Sequence, residues 1–299
     1  MSRSTWSEPR EPEPSRPGAG PGASDTRDVD PPRPGRDAPG RAPNVRQPVQ
    51  LRDQVHRIRE SEWRTLRTVG TFRVVAEADL QRDAGDQKTM RNDLLHLVDE
   101  GLLDRKTAMV NHQPTRLITL TADGKALVDR HRDTGAHGQA QEYHAGLVKP
   151  RELGHDVQLY RAYRAELARI DEAGGRVTRV VLDYELKRDY QQFLNRRDRS
   201  PDATFDDELR AFSEARQLPI VDGHLELPDL RLEVETADGR TETRDVEVVT
   251  EHYSRSQLSG KARAGFALYR PARVSPFGRG GDSSRGGTPI DPDTLRFLR

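Results

Sequence analysis

The chain has 299 residues, of which 33% are apolar, and its 49 Lys and Arg residues balance its 49 Asp and Glu residues. Because the net charge is zero, any attraction for nucleic acid has to come from a local surface. Cysteine is absent, which excludes disulfides and zinc sites built on thiolates. No apolar run reaches the length of a membrane span, and the N-terminus lacks the apolar core of a signal peptide. We therefore expect a soluble cytoplasmic protein with no membrane partner.

Both ends of the chain have the composition of disordered segments. Residues 1–49 are rich in proline and arginine, and residues 271–299 are rich in glycine and arginine. Such segments cannot bury enough apolar surface to offset the entropy that is lost when they become ordered. The sequence therefore predicts two disordered tails on either side of the folded part.

The folded part begins with a predicted helix. Its apolar residues recur at helical spacing, with Ser61 as the expected N-cap and Gly70 as the expected end. A short strand over residues 71–75 and a short helix over residues 76–82 are expected to follow.

A third helix is predicted between Asp86, which can cap it, and Gly101, which can end it in a left-handed conformation. Its apolar stripe is Met90, Leu94, Leu97 and Val98, and the polar residues on the opposite face near its N-terminus are Lys88, Arg91 and Asn92. Two strands around a polar turn come next, and Thr121 can cap another helix. Helix, hairpin and helix in this order predict a winged helix over residues 50–132.

The run Leu117-Ile-Thr-Leu-Thr-Ala-Asp-Gly-Lys125 resembles the strand-to-helix signature of MarR-type and related winged-helix DNA-binding domains. The resemblance implies that the third helix enters the major groove and that the hairpin flanks the backbone as a wing. The DNA-binding residues that it implies are Lys88, Arg91, Asn92, His112 and Arg116. Three acidic residues, Asp93, Asp99 and Glu100, dilute the basic character of this helix. The alternative is a winged helix that only joins proteins together.

A polar linker over residues 133–150 leads to a second predicted domain over residues 151–270. Its expected elements are a long helix over 155–173, a strand over 176–182, a helix over 184–197 and another helix within 201–217. The histidines of this region, among them His144 and His155, lack the close spacing of metal ligands, so we expect them at the surface.

The best-defined hairpin of this domain turns at Gly239. A three-residue loop with this glycine in the left-handed conformation brings Leu230 opposite Val246, whereas a two-residue loop would oppose apolar and charged residues. In the first register Asp229 lies opposite Glu247, with about 4.5–5.5 Å between the Cβ atoms. Two carboxylates this close repel each other unless a cation or a proton lies between them, which is the geometry of a divalent metal site.

A Pro-Asp pair at the start of a strand, followed by a hairpin to an acidic residue, resembles the core of PD-(D/E)XK nucleases. The catalytic residues that this resemblance implies are Glu185 on a preceding helix, Asp229, Glu247 and Lys261, with Mg²⁺ held by Asp229 and Glu247. In that family the metal activates water and the lysine helps to orient it. Val249 replaces the lysine expected two residues after Glu247, and Lys261 on the following helix is the candidate in its stead. The alternatives are that Glu247 belongs to a solvated hairpin face with Glu233, Glu235 and Glu251, that Glu185 is a first-turn residue favoured by the helix dipole, and that Lys261 is a surface lysine.

The two modules together resemble the replication-relaxation family of bacterial mobile elements. The expected fold class is α+β, with an N-terminal winged helix-turn-helix and a C-terminal restriction-endonuclease-like α/β domain. The resemblance implies a protein of a plasmid or integrative element, accessory to replication or conjugative transfer. Its implied partners are double-stranded DNA and relaxase or replication proteins, and a homodimer is one assembly it allows. The nuclease-like domain is either a Mg²⁺-dependent DNA endonuclease or a degenerate binding platform. The alternatives are a transcriptional regulator whose C-terminal domain is a dimerisation or interaction module, and a protein-interaction adaptor.

Overall fold

The computed structural model describes residues 45–132, 140–147, 149–150, 152–196, 203–250, 253–270 and 288–290. These residues form helices and several small sheets, which confirms the α+β class. None of the described helices is long and apolar enough to cross a membrane. Most of both predicted tails lies outside the described residues. Residues 47–49 and 288–289 form strands, so the predicted disorder is wrong there, because pairing with a neighbouring strand fixes the backbone.

In the N-terminal half, the elements are β1 (Gln47–Leu51), β2 (Gln54–Ile58), α1 (Glu60–Thr71), β3 (Val75–Ala76), α2 (Glu77–Asp83), α3 (Gln87–Asp99), β4 (Leu103–Val110), β5 (Gln113–Leu120) and α4 (Ala122–Arg130). Strands β1 and β2 form a hairpin that the sequence pattern did not predict. Strands β3, β5 and β4 form an antiparallel sheet in that order. The predicted order of helix, hairpin and helix is present as α3, β4–β5 and α4.

Helix α1 starts earlier than predicted and includes Gly70, so its predicted N-cap and its predicted end are both wrong. Ser61 lies in the first turn, where its hydroxyl donates to Asp93 Oδ2 at 2.6 Å. Gly70 remains helical at a point of close packing, because a Cβ atom there would lie 2.6 Å from Leu120 Cδ1. This glycine therefore marks a contact between α1 and β5 instead of a helix end.

Both predicted ends of α3 are confirmed. The Asp86 carboxylate accepts from two backbone N–H groups of the first turn, at 3.0 and 3.3 Å. Gly101 follows the helix with a φ of 71°, in the left-handed region that favours glycine. Leu94 and Leu97 are buried in the core, as the apolar stripe predicts.

The turn between β4 and β5 is Asn111-His112, with φ values of 48° and 64°. Positive φ at both positions is the geometry of a type I′ turn, which suits the twist of a two-stranded hairpin. After β5, Thr121 caps α4 as predicted, because its Oγ1 accepts from the Gly124 N–H at 3.0 Å. A Cβ atom at Gly124 would lie 2.1 Å from the Leu102 carbonyl oxygen. The Thr-Ala-Asp-Gly run is therefore a packing motif that holds α4 against the start of β4.

In the C-terminal half, the elements are α5 (Leu153–Glu172), β6 (Arg176–Leu182), α6 (Asp183–Leu194), α7 (Phe205–Arg216), β7 (Ile220–Val221), β8 (His224–Leu225), β9 (Leu230–Glu235), β10 (Thr241–Val248), α8 (Arg255–Arg263), β11 (Ala267–Arg270) and β12 (Thr288–Pro289). The larger sheet has the order β12-β11-β10-β9-β6. Strands β10 and β11 are parallel, and the other neighbours in this sheet are antiparallel.

The predicted register of the β9–β10 hairpin is confirmed, because Leu230 pairs with Val246. Gly239 has a φ of 79°, and the Thr236 N–H donates to the Arg240 carbonyl at 2.8 Å to close the loop. The apolar side chains of both strands belong to the cluster that α5 covers. The opposite side of the sheet is its polar face, where charged residues are buried under other elements.

Helix α5 packs against both predicted domains. The Tyr160 ring meets Phe72 edge-on with 5.3 Å between the ring centroids. Arg161 Nε donates to Asp79 Oδ2 at 2.7 Å, and both side chains are buried. Tyr143, which falls in the predicted linker, is buried in the same apolar cluster as residues of both halves. The described parts of the two predicted domains are therefore joined by a continuous core.

Candidate functional site

Asp229 and Glu247 meet where β9 begins and β10 ends. The backbone N–H of Asp229 donates to Glu247 Oε2 at 3.1 Å, and the Val248 N–H donates to Asp229 Oδ2 at 2.9 Å. Each carboxylate thus holds the backbone of the opposite strand. Glu247 is only 1% exposed, so the alternative of a solvated hairpin face is wrong for this residue. Asp229, Glu247 and Lys261 together are called the carboxylate site below.

Lys261 places a positive charge next to this pair. It lies on α8, the helix after the hairpin, as the sequence predicts. Its Nζ lies 3.2 Å from Glu247 Oε1 and 3.3 Å from Glu226 Oε2. The same amine donates to the Leu227 carbonyl at 2.7 Å. Val249 is buried in an apolar cluster, where the amine of a lysine would be poorly solvated.

The carboxyl group of Glu247 titrates close to neutral pH. Burial, followed by the charge of Asp229, raises the pKa of Glu247 to about 7 against the opposing effects of Lys261 and Tyr253. The Tyr253 hydroxyl donates to Glu247 Oε1 at 2.5 Å. Burial and the charge of Glu247 raise the pKa of Tyr253 in turn. Glu247 can therefore gain or lose a proton near pH 7, a property that is frequent in sites that handle cations or protons.

His155 contacts the carboxylate site, and the charge of Lys187 acts on it, although the sequence does not assign either residue to it. His155 Nε2 lies 3.5 Å from Asp229 Oδ1. Burial lowers the pKa of His155, but the hydrogen bond and charge of Asp229 outweigh burial, and the pKa is raised. On α6, Lys187 Nζ donates to Asp183 Oδ2 at 2.5 Å. Burial lowers the pKa of Lys187, but Asp183 and then the charges of Asp229 and Glu247 raise it overall.

The prediction that His155 lies at the surface is correct only in part, because its side chain is 30% exposed and also contacts Asp229. Helix α5 packs against the larger sheet and turns this ring toward Asp229, a contact for which the local sequence carries no signal. His144 is also half-buried, and its Nε2 is hydrogen-bonded to the Tyr184 hydroxyl. For Lys187 a signal was present, because its spacing from Asp183 is that of an ion pair on one helix face.

Glu185 is turned away from the carboxylate site, which corrects its expected role as the helix acid. Its Oε2 accepts from Arg179 at 2.9 Å, and its Oε1 accepts from the Leu182 N–H at 3.3 Å. Arg179 also pairs with Glu233 at 3.0 Å. Burial raises the pKa of Glu185 to about 7, with Arg179 opposing and Glu142 adding to the rise. Because Glu185 lies in the first turn of α6, its carboxylate reaches back to the helix start and to the arginine on β6.

As a metal site, Asp229 and Glu247 suit Mg²⁺, because they supply two carboxylates and not a complete set of protein ligands. Among the described residues, no group of three or more His, Asp or Glu side chains is arranged to hold a metal ion. Mg²⁺ does not require such a group, because it keeps several waters and binds through one or two carboxylates plus substrate phosphates. Lys261 contacts Glu247 Oε1 and His155 contacts Asp229 Oδ1. A bound metal ion would therefore share the negative charge of these two carboxylates with both side chains.

The second candidate surface is the exposed side of α3 with the β4–β5 hairpin, called the α3–hairpin surface below. The predicted DNA-binding residues on it are all exposed, and they are Lys88, Arg91, Asn92, His112 and Arg116. Within the part of the chain that the structure describes, no acidic side chain forms an ion pair with Lys88, Arg91 or Arg116. Their charges therefore face solvent.

Two of the three acids expected to dilute this surface are engaged elsewhere. Asp93 is 0% exposed, and its Oδ1 accepts from Arg59 Nε at 2.9 Å. Glu100 Oε2 is hydrogen-bonded to His56 Nδ1 at 2.8 Å. Only Asp99 among the three is exposed. The basic character of the outer face of α3 is therefore stronger than its sequence suggests.

No protein-family model, no curated protein and no solved structure matches this chain. Function therefore has to be inferred from the carboxylate site and the α3–hairpin surface.

Proposed function

We propose that this chain binds double-stranded DNA through the α3–hairpin surface, with α1 to α4 and β3 to β5 arranged as a winged helix. The observation that carries the proposal is the outer face of α3, where Lys88 and Arg91 face solvent without a described acidic partner. In this arrangement α3 enters the major groove, where Arg91 and Asn92 can reach base edges. His112 and Arg116 on the hairpin then contact the flanking backbone.

The test of DNA binding is the substitution Arg91→Ala. Removing one phosphate or base contact should weaken binding to duplex DNA and reduce the slope of log affinity against log salt concentration by about 1. The matched control is Arg210→Ala, which removes an exposed arginine from another helix, α7. Fluorescence anisotropy at several salt concentrations measures both quantities. Equal affinity and equal slope in wild type and Arg91→Ala would overturn the assignment of α3.

A second candidate function rests on the carboxylate site, in which Asp229, Glu247 and Lys261 meet at the end of a β-hairpin. We propose that this site acts on DNA phosphates in the manner of a PD-(D/E)XK nuclease. Asp229 and Glu247 would hold Mg²⁺, which when bound supplies a Lewis acid and an activated water. Lys261, which already neutralises Glu247, would orient that water and offset negative charge. Glu185 has no part in this proposal.

A titration with Mg²⁺ or Mn²⁺ by calorimetry tests this second function. Wild type is compared with the double variant Asp229→Ala/Glu247→Ala, while supercoiled plasmid is incubated with each protein in parallel. We expect metal binding and nicking in wild type and the loss of both in the double variant. The control is Glu242→Ala, which removes a partly exposed acid from the same strand as Glu247. If wild type neither binds metal nor nicks plasmid, the carboxylate site is a structural network and the DNA-binding proposal stands alone.

The cellular setting that we propose is a plasmid or integrative element, with a role accessory to replication or conjugative transfer. It is supported by the presence of the exposed cations of the α3–hairpin surface and of the carboxylate site within one chain. Deletion of the gene from its element should then reduce maintenance or transfer without changing transcript levels. Changed transcript levels with normal maintenance would favour a transcriptional regulator whose C-terminal half serves dimerisation.

A further inference from the structure

The tip of the β4–β5 hairpin is held against the first turn of α5. Val110 at the end of β4 and Leu153 at the start of α5 belong to one buried apolar cluster. The Asn111 side chain lies directly over Gly154, because a Cβ atom there would come 2.8 Å from Asn111 Oδ1. The hairpin tip is therefore held against α5 by the packing of Val110 and Asn111.

The same turn of α5 leads directly to the carboxylate site. His155 follows Gly154 in the chain, and its Nε2 lies 3.5 Å from Asp229 Oδ1. Gly154, which contacts the hairpin tip, and His155, which contacts Asp229, are thus consecutive residues of α5. One turn of duplex DNA is about 34 Å long, so a duplex in contact with the hairpin tip would not need to extend a full turn to reach Asp229.

The side chains along this path suit a phosphate backbone. His112 is exposed at the tip, and the Lys187 side chain is 60% exposed beside the carboxylate site. Lys261 and His155 supply further positive or hydrogen-bonding groups around Asp229. Lys187 pairs with Asp183, and Lys261 pairs with Glu226 as well as Glu247, so these groups offset part of the carboxylate charge that alone would repel a phosphate.

We propose that one duplex spans both surfaces: DNA held by the α3–hairpin surface continues over the first turn of α5, so that the carboxylate site faces a phosphate of the same duplex. This phosphate lies at a fixed offset, less than one helical turn, from the base pairs that α3 contacts. The inference rests on the proposed DNA binding, and it does not require that the site cuts DNA.

The absence of cysteine from the chain allows a direct test, because a single introduced cysteine can be labelled without background. We would attach iron–EDTA, which cuts nearby DNA with hydroxyl radicals, to His112→Cys at the hairpin tip and to Lys187→Cys beside the carboxylate site. Ser256→Cys, an exposed position near the start of α8, provides a second probe on the helix that carries Lys261. The control is Asp238→Cys at the far end of β9, whose six residues span about 20 Å.

The DNA is an end-labelled duplex selected from a random pool by the wild-type protein. We expect His112→Cys and at least one of Lys187→Cys and Ser256→Cys to cut the same duplex, with centres of cutting separated by less than one helical turn. Asp238→Cys should not cut. If His112→Cys cuts while both site variants cut no more than Asp238→Cys, the spanning duplex is overturned and DNA binding is retained. If wild type selects no duplex at all, the proposed DNA binding fails with it.

Discussion

The charges of the α3–hairpin surface and those of the polar face of the larger sheet are arranged in opposite ways. Lys88 and Arg91 project into solvent. Arg231, in contrast, is 6% exposed and donates to both oxygens of Asp245 at 2.7 Å. Exposed charges cost the fold little and are available to a partner, whereas buried charges stabilise only as matched sets. A net charge of zero therefore conceals two different arrangements: exposed cations on the α3–hairpin surface, and buried ion pairs such as Arg231 with Asp245 on the sheet face.

The largest effect that would test this difference is expected for Arg231→Ala. It leaves Asp245 without its partner on the polar face and removes the donors that Arg231 gives to the Arg216 and Gln217 carbonyls. Loss of one member of a buried pair typically lowers the free energy of unfolding by about 3–5 kcal/mol. Arg91→Ala should change it by less than about 0.5 kcal/mol. Urea denaturation of both variants measures this contrast, and equal effects would mean that the two regions do not differ.

A smaller effect is expected in the N-terminal half, where close packing at glycine stabilises the fold as ion pairs do in the larger sheet. Gly124→Ala should lower the free energy of unfolding by about 1–3 kcal/mol, because the new Cβ would press on the Leu102 carbonyl oxygen. Gly85→Ala is the matched control, since a Cβ there meets nothing within 4 Å. It should leave stability unchanged or raise it slightly by restricting the unfolded chain. Similar losses in both variants would contradict the packing role of Gly124.

The features that the sequence predicted correctly depend on residues close together in the chain. Asp86 and Gly101 bound α3 because capping and left-handed φ are local properties. The register of β9 and β10 followed from Gly239 and from the requirement that Leu230 face Val246. Local sequence features are therefore enough to predict these elements and the contact between Asp229 and Glu247.

The features that the sequence did not predict depend on contacts between distant parts of the chain. Ser61 bonds to an acid on α3 instead of capping α1, and Gly70 packs against β5 instead of ending its helix. His155 joins the carboxylate site only because α5 crosses the larger sheet. Glu185 pairs with Arg179 and not with the strand carboxylates, because membership of a helix does not determine which way a first-turn side chain points.

The last test concerns the slope of stability against pH, which depends on whether the carboxyl group of Glu185 on the polar face of the sheet is shielded from water. Its pKa in the folded protein is about 7, above the ordinary value of 4.5, so the folded protein holds this proton more tightly than the unfolded chain does. The stability that the proton contributes is fully present below about pH 4.5 and is lost as the pH rises toward 7. Relative to Glu185→Gln, the free energy of unfolding of wild type should fall across this window, by at most about 1.4 kcal/mol per pH unit.

Urea denaturation at half-unit steps of pH measures this difference, with Glu142→Gln as the companion variant. Burial is the main cause of the raised pKa of Glu185, and the charge of Glu142 adds to it. Removing that charge should therefore move the window to lower pH without abolishing it. A difference between wild type and Glu185→Gln that stays flat with pH would mean that the pKa of Glu185 is not raised, because access of water or the charge of Arg179 offsets burial. Burial of charge would then not be what separates the polar face from the α3–hairpin surface.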